Sequence, residues 1–487
     1  MNYQMIGYLI GRILLTEAAL LLLPLLVALL YGEAAGPFLL TIALLLAVGG
    51  ILGLRKPKQT AIYARDGFAV VALAWIAMSA FGALPFVFSG EIPNYVDAFF
   101  ETVSGFTTTG ASILTAVEPL QKGMLFWRSF THWVGGMGVL VFVMAILPMS
   151  DGHGMHLLRA EVPGPTVGKL VSRMSDTAKI LYGIYLAMTV IEIVLLLLGG
   201  MPLYDACVHA FGTAGTGGFS SRNLSVGAYD NAYFDVVIGV FMLLFGVNFN
   251  LYYFLLIRRF KDVFRSEELR AYVGIVAAAV IAITIDISHM YGSFLQGLRH
   301  AFFQVASIIT TTGYATTDFN LWPTFSKGVL VTLMFVGACA GSTGGGIKVA
   351  RIVMLVKTAY SDMKKMLHPN AVSVVRFEGK PVTEKNIRSV HVFLTVYVVV
   401  FVLSTLLLTL EGFDTTTTFT AVTACINNIG PGLEMVGPMG NFSEFSAFSK
   451  LLLSFDMLVG RLEIFPMLLL FAPSIWKRGH KTPRVVR

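Results

Sequence analysis

Four short stretches of the chain combine residue types suited to stripping water from a cation. They read Thr107-Thr108-Thr109-Gly110-Ala111, Ala214-Gly215-Thr216-Gly217-Gly218, Thr310-Thr311-Thr312-Gly313-Tyr314 and Asn427-Asn428-Ile429-Gly430-Pro431. None carries a charged side chain. Cation selection by such a segment needs backbone carbonyls that replace hydration water. Glycine reaches φ > 0 and turns its carbonyl inward without a Cβ clash. The residues expected to form this filter are Thr108, Thr109 and Gly110; Gly215, Thr216 and Gly217; Thr311, Thr312 and Gly313; and Asn428, Ile429 and Gly430. With no ring of carboxylates, a divalent-selective pore is not expected.

The stretches belong to repeats. Aligned on the glycines, Asp97-AFFETVSGFTTT before Gly110 matches His300-AFFQVASIITTT before Gly313. Thr417-TFTAVTACINNI precedes Gly430, with Phe419 in register with Phe99 and Phe302. Asp205-ACVHAFGTAGT before Gly217 is one residue shorter and the most divergent. Each stretch opens with about ten apolar residues, fewer than the roughly 20 that cross a bilayer. Each therefore reads as a half-helix that enters the membrane and returns as extended chain. Such backbone is tolerated at membrane depth only when buried in protein or lining a water-filled cavity.

What must position these segments is a set of spans. Apolar residues make up 56% of the 487 and charged residues only 13%, too little charge to coat soluble domains. The mean hydropathy is +0.75. Ten apolar segments are expected to span, near 8–31, 37–54, 68–88, 124–148, 178–199, 233–257, 271–291, 327–356 (interrupted), 388–410 and 448–472. Of the 35 Lys and Arg residues, 26 fall in the alternate linkers 55–65, 159–179, 258–270 and 351–388 and in the tail 477–487. The positive-inside rule places these loops and both termini in the cytoplasm. The net charge of +7 thus reflects orientation and contact with anionic lipid, not nucleic acid. Asp97, Glu101, Glu118, Asp205, Asp230, Asp235, Asp318, Asp414, Glu434 and Glu444 fall on the opposite side, either as solvated loop charge or as a mouth that concentrates cations.

The expected fold is an all-α polytopic membrane protein. Residues 1–67 supply two extra N-terminal helices. Residues 68–150, 151–265, 266–385 and 386–487 supply four repeats of span, pore helix, filter and span. Two spans per repeat give every repeat the same orientation, hence a pseudo-four-fold axis along the membrane normal. Inverted repeats need an odd number of spans.

Two features stand inside this frame. Arg461 falls in the middle of the last span, where a charge is costly and faces a cavity or a partner. Either it pairs with Asp456 or Glu463 and holds helices together, or it projects below the filter and repels permeant cations. Residues 337–346 interrupt the eighth span with five glycines and include Gly341, Ser342, Thr343, Gly344, Gly345 and Gly346. A phosphate-binding loop is excluded, because Ile347 occupies the Lys place of that motif. A broken helix that gates the inner cavity is expected instead. His153 and His156 have no third metal ligand. Cys207, Cys339 and Cys425 form no CxxC pair and read as small apolar residues in packed helices.

The filter glycines, Asn427-Asn428-Ile429-Gly430-Pro431-Gly432, Gly341-STGGGIK, Gly460-Arg461-Leu462-Glu463 and the two added N-terminal spans together resemble the Trk/Ktr/HKT superfamily of potassium transporters, in its TrkH/TrkG branch, over essentially the whole chain. The resemblance implies four channel-like units in one chain and potassium uptake across the bacterial inner membrane, with rubidium as a surrogate. K+ is the substrate ion at the filter, and no cofactor is implied. It also implies a homodimer and a cytosolic regulatory subunit with nucleotide-binding domains. It places Arg461 in the pore below the filter. The divergent second filter and the Asn-Asn of the fourth depart from strict four-fold symmetry. An ion-coupled (H+ or Na+) potassium symporter of the same fold stays open. A solute carrier with inverted repeats is disfavoured by the parallel repeats. A membrane enzyme is disfavoured because no carboxylate, His or metal cluster converges at the membrane face.

Overall fold

The computed structural model describes residues 1–58, 63–138, 174–369 and 374–476. His153, His156, Arg159, Lys169, Arg173 and the tail cations of 477–487 lie outside the described residues, as do residues 139–148 of the expected span 124–148. Among the described residues, six helices are long and apolar enough to cross a membrane: Tyr3–Leu30, Gly36–Gly53, Arg65–Ser89, Asp176–Leu198, Glu267–Met290 and Glu384–Glu411. Their outward faces carry leucine, valine and isoleucine, such as Leu30, Ile51, Ile285 and Leu406. In water such rows would be a liability; against acyl chains they cost nothing.

The first two spans pack directly on each other. A Cβ on Gly11 would lie 2.4 Å from the Gly53 nitrogen, so only glycine lets these backbones approach. The turn between them is tied to the rest of the fold by Glu33, whose carboxylate accepts the backbone N–H groups of Lys122 (2.5 Å) and Gly123 (2.8 Å). These are orphan donors at the start of helix Lys122–Gly136.

Only the eighth span was expected to break. Helix Thr324–Val336 does stop before the glycine segment, and helix Val349–Leu367 resumes after it. Two further spans are also broken, which corrects the reading of 233–257 and 448–472 as continuous. Helices Ala232–Phe245 and Phe249–Leu256 meet at 93°. The side chain of Asn248 caps the second piece by accepting the Asn250 N–H at 3.0 Å. Helix Ala447–Arg461 ends before Glu463 (φ +56) and Ile464 (φ +70), and Pro466 restarts a short helix Phe465–Leu470. The all-α expectation also needs a small correction. Arg376–Phe377 pairs antiparallel with Lys380–Pro381 in a minimal hairpin on the basic side. Its turn residues Glu378 and Gly379 have φ +50 and +72, as a type I′ turn requires.

Candidate functional site

Each of the four glycine segments follows a short helix: Tyr95–Phe106, Leu203–Gly215, Phe294–Ile309 and Thr415–Ile426. Three begin on side-chain caps, from Asn94, Ser293 and Asp414. Hydrogen bonds from Thr417 hold the Asp414 carboxyl below its ordinary range. All four end alike. Thr108, Thr216, Thr311 and Asn428 adopt the left-handed conformation at φ +57, +57, +60 and +55. The next N–H reaches back five residues: Thr109 to Ser104 O (2.9 Å), Gly217 to Gly212 O (2.8 Å), Thr312 to Ser307 O (2.8 Å) and Ile429 to Ala424 O (2.9 Å). This closes the helix as a Schellman turn closes it. Left-handed backbone is unfavourable for a β-branched residue, and three of the four are threonine.

The shared geometry corrects one register. The glycine two residues after the left-handed one has φ +83 at Gly110, +81 at Gly218, +83 at Gly313 and +96 at Gly430. The second segment is therefore Thr216-Gly217-Gly218, with Gly218 as the counterpart of Gly110. Gly215 is the last helical residue, packed where a Cβ would lie 2.2 Å from the His132 carbonyl oxygen. No residue is missing from this copy, since 205 to 218 equals 97 to 110. The doubled glycine hid the match.

The segments meet in cyclic order. A Cβ on Gly110 would lie 2.0 Å from Gly217 O; on Gly218, 2.1 Å from Thr312 O; on Gly313, 2.1 Å from Ile429 O; on Gly430, 2.7 Å from Thr109 O. Any side chain there strikes the neighbouring strand. Among the described residues, no hydrogen bond uses the carbonyls of Thr109, Gly217, Thr312 or Ile429. Gly110, Gly218, Gly313 and Gly430 all line one cavity of about 200 Å³. The four helix C-termini lead into the segments, so their partial negative charges favour a cation there. Among the described residues, no group of three or more His, Cys, Asp or Glu is placed to hold a metal.

Side chains behind the segments are bonded to each other and to the wall. Thr107 and Thr109 hydroxyls lie 2.8 Å apart, as do those of Thr310 and Thr312. Asn428 Nδ2 donates to Thr109 Oγ1 and to Met457 O, each at 2.9 Å. His132 Nδ1 bonds Gly105 O at 2.7 Å, and its Nε2 accepts the Phe219 N–H at 3.2 Å. Tyr314 donates to His209 O at 3.0 Å. Buried Arg128 pairs with Glu101 at 2.6 Å, and that carboxylate also accepts the Ile113 N–H. Several acids expected at an open mouth are thus occupied: Asp97 by Lys450 (2.7 Å), Asp235 by Arg299 (2.5 Å), and Asp205 by Arg222 and Ser221.

Directly beneath lies the glycine loop. Gly345 N–H donates to Thr311 Oγ1 at 2.6 Å, and Gly346 N–H to Asn427 O at 3.1 Å. The loop also bonds the broken second-repeat helix: Cys339 N–H reaches Gly246 O, and Phe249 N–H reaches Gly341 O, both at 3.0 Å. Arg461 is buried and donates to Thr343 O (2.7 Å), Gly135 O (2.5 Å) and Gly136 O (2.7 Å). Neither nearby acid turns toward it. Glu463 pairs with Arg351, and Asp456 accepts from Ser404 at 2.7 Å. The hydrogen bonds described for Arg461 go to carbonyls, of the loop at Thr343 and of helix Lys122–Gly136 at Gly135 and Gly136. The space bounded by Gly344, Gly346, Lys348, Gly460 and Arg461 is only about 10 Å³, room for about one water at most.

With this geometry in hand, similarity to known proteins is informative. The family model TrkH, described as "Cation transport protein", matches residues 36–274 and 273–478. The Trk system potassium uptake protein TrkH of Salmonella typhimurium is 39% identical over 485 residues, 98% of this chain and 100% of its own length. The Trk system potassium uptake protein TrkG of Escherichia coli is 34% identical over 486 residues, 98% of this chain and 99% of its own. The crystal structure of the potassium transporter TrkH from Vibrio parahaemolyticus superposes with a TM-score of 0.87 at 35% identity, over 98% of this chain and 100% of that one.

Proposed function

The chain belongs to the TrkH family of cation transport proteins, and from that membership and the site geometry we infer that it carries potassium into the bacterial cell through a filter of backbone carbonyls. Its relatives are named as uptake proteins, transporters rather than enzymes. One observation carries the filter reading: four identically closed segments, in cyclic contact, with unbonded carbonyls and glycines lining one cavity. Carbonyl dipoles replace hydration water around a potassium ion. The filter set is Thr108, Thr109 and Gly110; Thr216, Gly217 and Gly218; Thr311, Thr312 and Gly313; and Asn428, Ile429 and Gly430.

In this reading, four parallel repeats within ten spans surround the path, in the inner membrane, with both termini in the cytoplasm. Residues 337–346 are the gate. Their hydrogen bonds to Thr311 and Asn427 support a closed state directly under the filter. A cytosolic nucleotide-binding subunit, docked on the basic side of a homodimer, would shift that state. The alternative is a potassium symporter coupled to H+ or Na+ on the same fold. The direct test is uptake in a bacterial strain lacking its own potassium uptake. The chain should restore growth at micromolar to millimolar potassium, and failure at normal abundance opposes the reading.

Arg461→Ala is expected to raise flux. A unit charge beside the path opposes a permeating cation, by about 4 kcal/mol at a 4 Å separation and an effective dielectric near 20, and by less farther away. The substitution also frees Thr343 O, and so loosens the loop. The rise should be several-fold with normal abundance, measured as rubidium uptake per protein. Collapse of expression would instead revive a purely structural role for Arg461.

The partner surface has its own test. Lys364 and Lys365 are exposed on the last turn of helix Val349–Leu367, which follows the gate. Reversing both charges should weaken co-purification with the regulatory subunit while leaving insertion intact. Equal co-purification removes this patch from the interface.

A further inference from the structure

Glu268 stands at the basic-side start of span Glu267–Met290, and its side chain is almost completely buried. One of its oxygens, Oε1, accepts two backbone N–H groups. One is from Ala340, inside the interrupted segment, at 2.6 Å. The other is from Ala350, in the first turn of the helix that resumes after it, at 3.2 Å. A single atom thereby ties together the two flanks of the gate loop. The second donor is an orphan at a helix N-terminus, where a carboxylate is also favoured by the helix dipole. Between the two flanks, Lys348 (φ +82) folds back so that its ammonium donates to Gly344 O. The loop is closed on itself from both sides.

Glu268 is itself held from the basic surface. The exposed hairpin turn residue Glu378 accepts the Glu268 N–H at 3.1 Å and the Ser266 hydroxyl at 2.8 Å. Ser266 is the residue that caps this span, accepting the Leu269 N–H at 3.3 Å. Lys357, on helix Val349–Leu367, pairs with Glu267 and donates to Arg376 O at 2.9 Å. The hairpin thus grips both the start of one span and the helix leaving the gate. A displacement of the hairpin reaches the loop through two hydrogen-bonded residues.

We propose that Glu268 is a latch that holds the intramembrane loop shut, and that the hairpin turn at Glu378 sets the latch from the surface. Withdrawing the loop requires Ala340 and Ala350 to part, and a carboxylate oxygen shared between them opposes this. This inference rests on the reading of residues 337–346 as the gate. Glu268 is a positioning residue: it acts on the loop and touches no ion.

The test is rubidium flux through the purified full-length chain in proteoliposomes, without any partner. Glu268→Ala should raise basal flux roughly tenfold, the lower end of what a charge-assisted hydrogen bond is worth. Glu268→Gln keeps an acceptor oxygen and should give a smaller rise. Glu378→Ala, at an exposed turn, should raise flux in the same direction by a lesser factor. In a chain lacking Gly341–Gly346, Glu268→Ala should add nothing further. The arms separate the two readings. If the loop deletion leaves flux unchanged, the gate itself is wrong. If the deletion raises flux but Glu268→Ala and Glu378→Ala do not, the latch alone is overturned. Equal rises for the Ala and Gln variants would also overturn it, since the Gln oxygen can still accept from Ala340 and Ala350. Should Glu268→Ala fail to insert, Glu378→Ala decides: unchanged flux at normal abundance refutes the latch.

Discussion

Gly110→Ser is expected to abolish most of the preference for potassium over sodium while the protein still inserts. Two physical costs meet at this position. The backbone sits at φ +83, where a residue with a Cβ is strained. The added Cβ would also lie 2.0 Å from the Gly217 carbonyl oxygen, so one strand or the other must move. A shift of a few tenths of an ångström in one carbonyl changes how well the ring replaces hydration water. A differential of about 1.4 kcal/mol is tenfold in preference, and a single displaced carbonyl can supply that. The measurement is rubidium flux in the presence of competing sodium. Gly218→Ser should behave in the same way, because its Cβ meets Thr312 O at 2.1 Å and φ is +81. A Gly110→Ser protein of normal abundance with unchanged preference would remove these residues from the filter.

Deletion of Gly341–Gly346 is expected to give the largest change in rate. Under the proposed filter the loop is held by bonds to Thr311, Asn427, Phe245 and Arg461. Its removal takes away the residues that make these bonds and leaves Ala340 and Ala350 on Glu268 with no loop between them to hold. Flux without a partner should rise at least tenfold, which corresponds to about 1.4 kcal/mol of lost bias toward the closed state. The response to a regulatory subunit should be blunted in proportion. A deleted chain that is well expressed, still closed alone and still fully activated would refute the gate.

Much of this site was legible because its signals are local. Gly110, Gly313 and Gly430 follow near-identical runs, and the five glycines of 337–346 cannot continue an apolar helix. Arg461 announces itself by being a charge amid apolar residues. What stayed hidden depends on contacts distant in sequence. The second segment was aligned one residue early because Thr216-Gly217-Gly218 offers two glycines. An ungapped count from Asp205 would have chosen Gly218. The breaks at 246–248 and 462–464 carry no run of glycines such as that of 337–346. They are set by tertiary partners, as when Phe249 N–H bonds Gly341 O across two repeats. The hydrogen-bond acceptors described for Arg461 are carbonyls, which no side-chain pattern reports. Glu268 and Arg351 read as ordinary charges near span ends, and Glu463 as a partner for Arg461. Only the fold brings Glu268 to Ala340 and Arg351 to Glu463.

The central claim is that uncharged carbonyls at the ring of Gly110, Gly218, Gly313 and Gly430 select potassium. Competition against rubidium uptake tests it most directly, in proteoliposomes holding the purified full-length chain. Excess potassium should suppress the uptake almost completely, while equal sodium leaves most of it intact. Divalent cations should not enter, since the ring carries no carboxylate to bind them. Sodium competing as strongly as potassium, with the protein folded and inserted, would contradict the account.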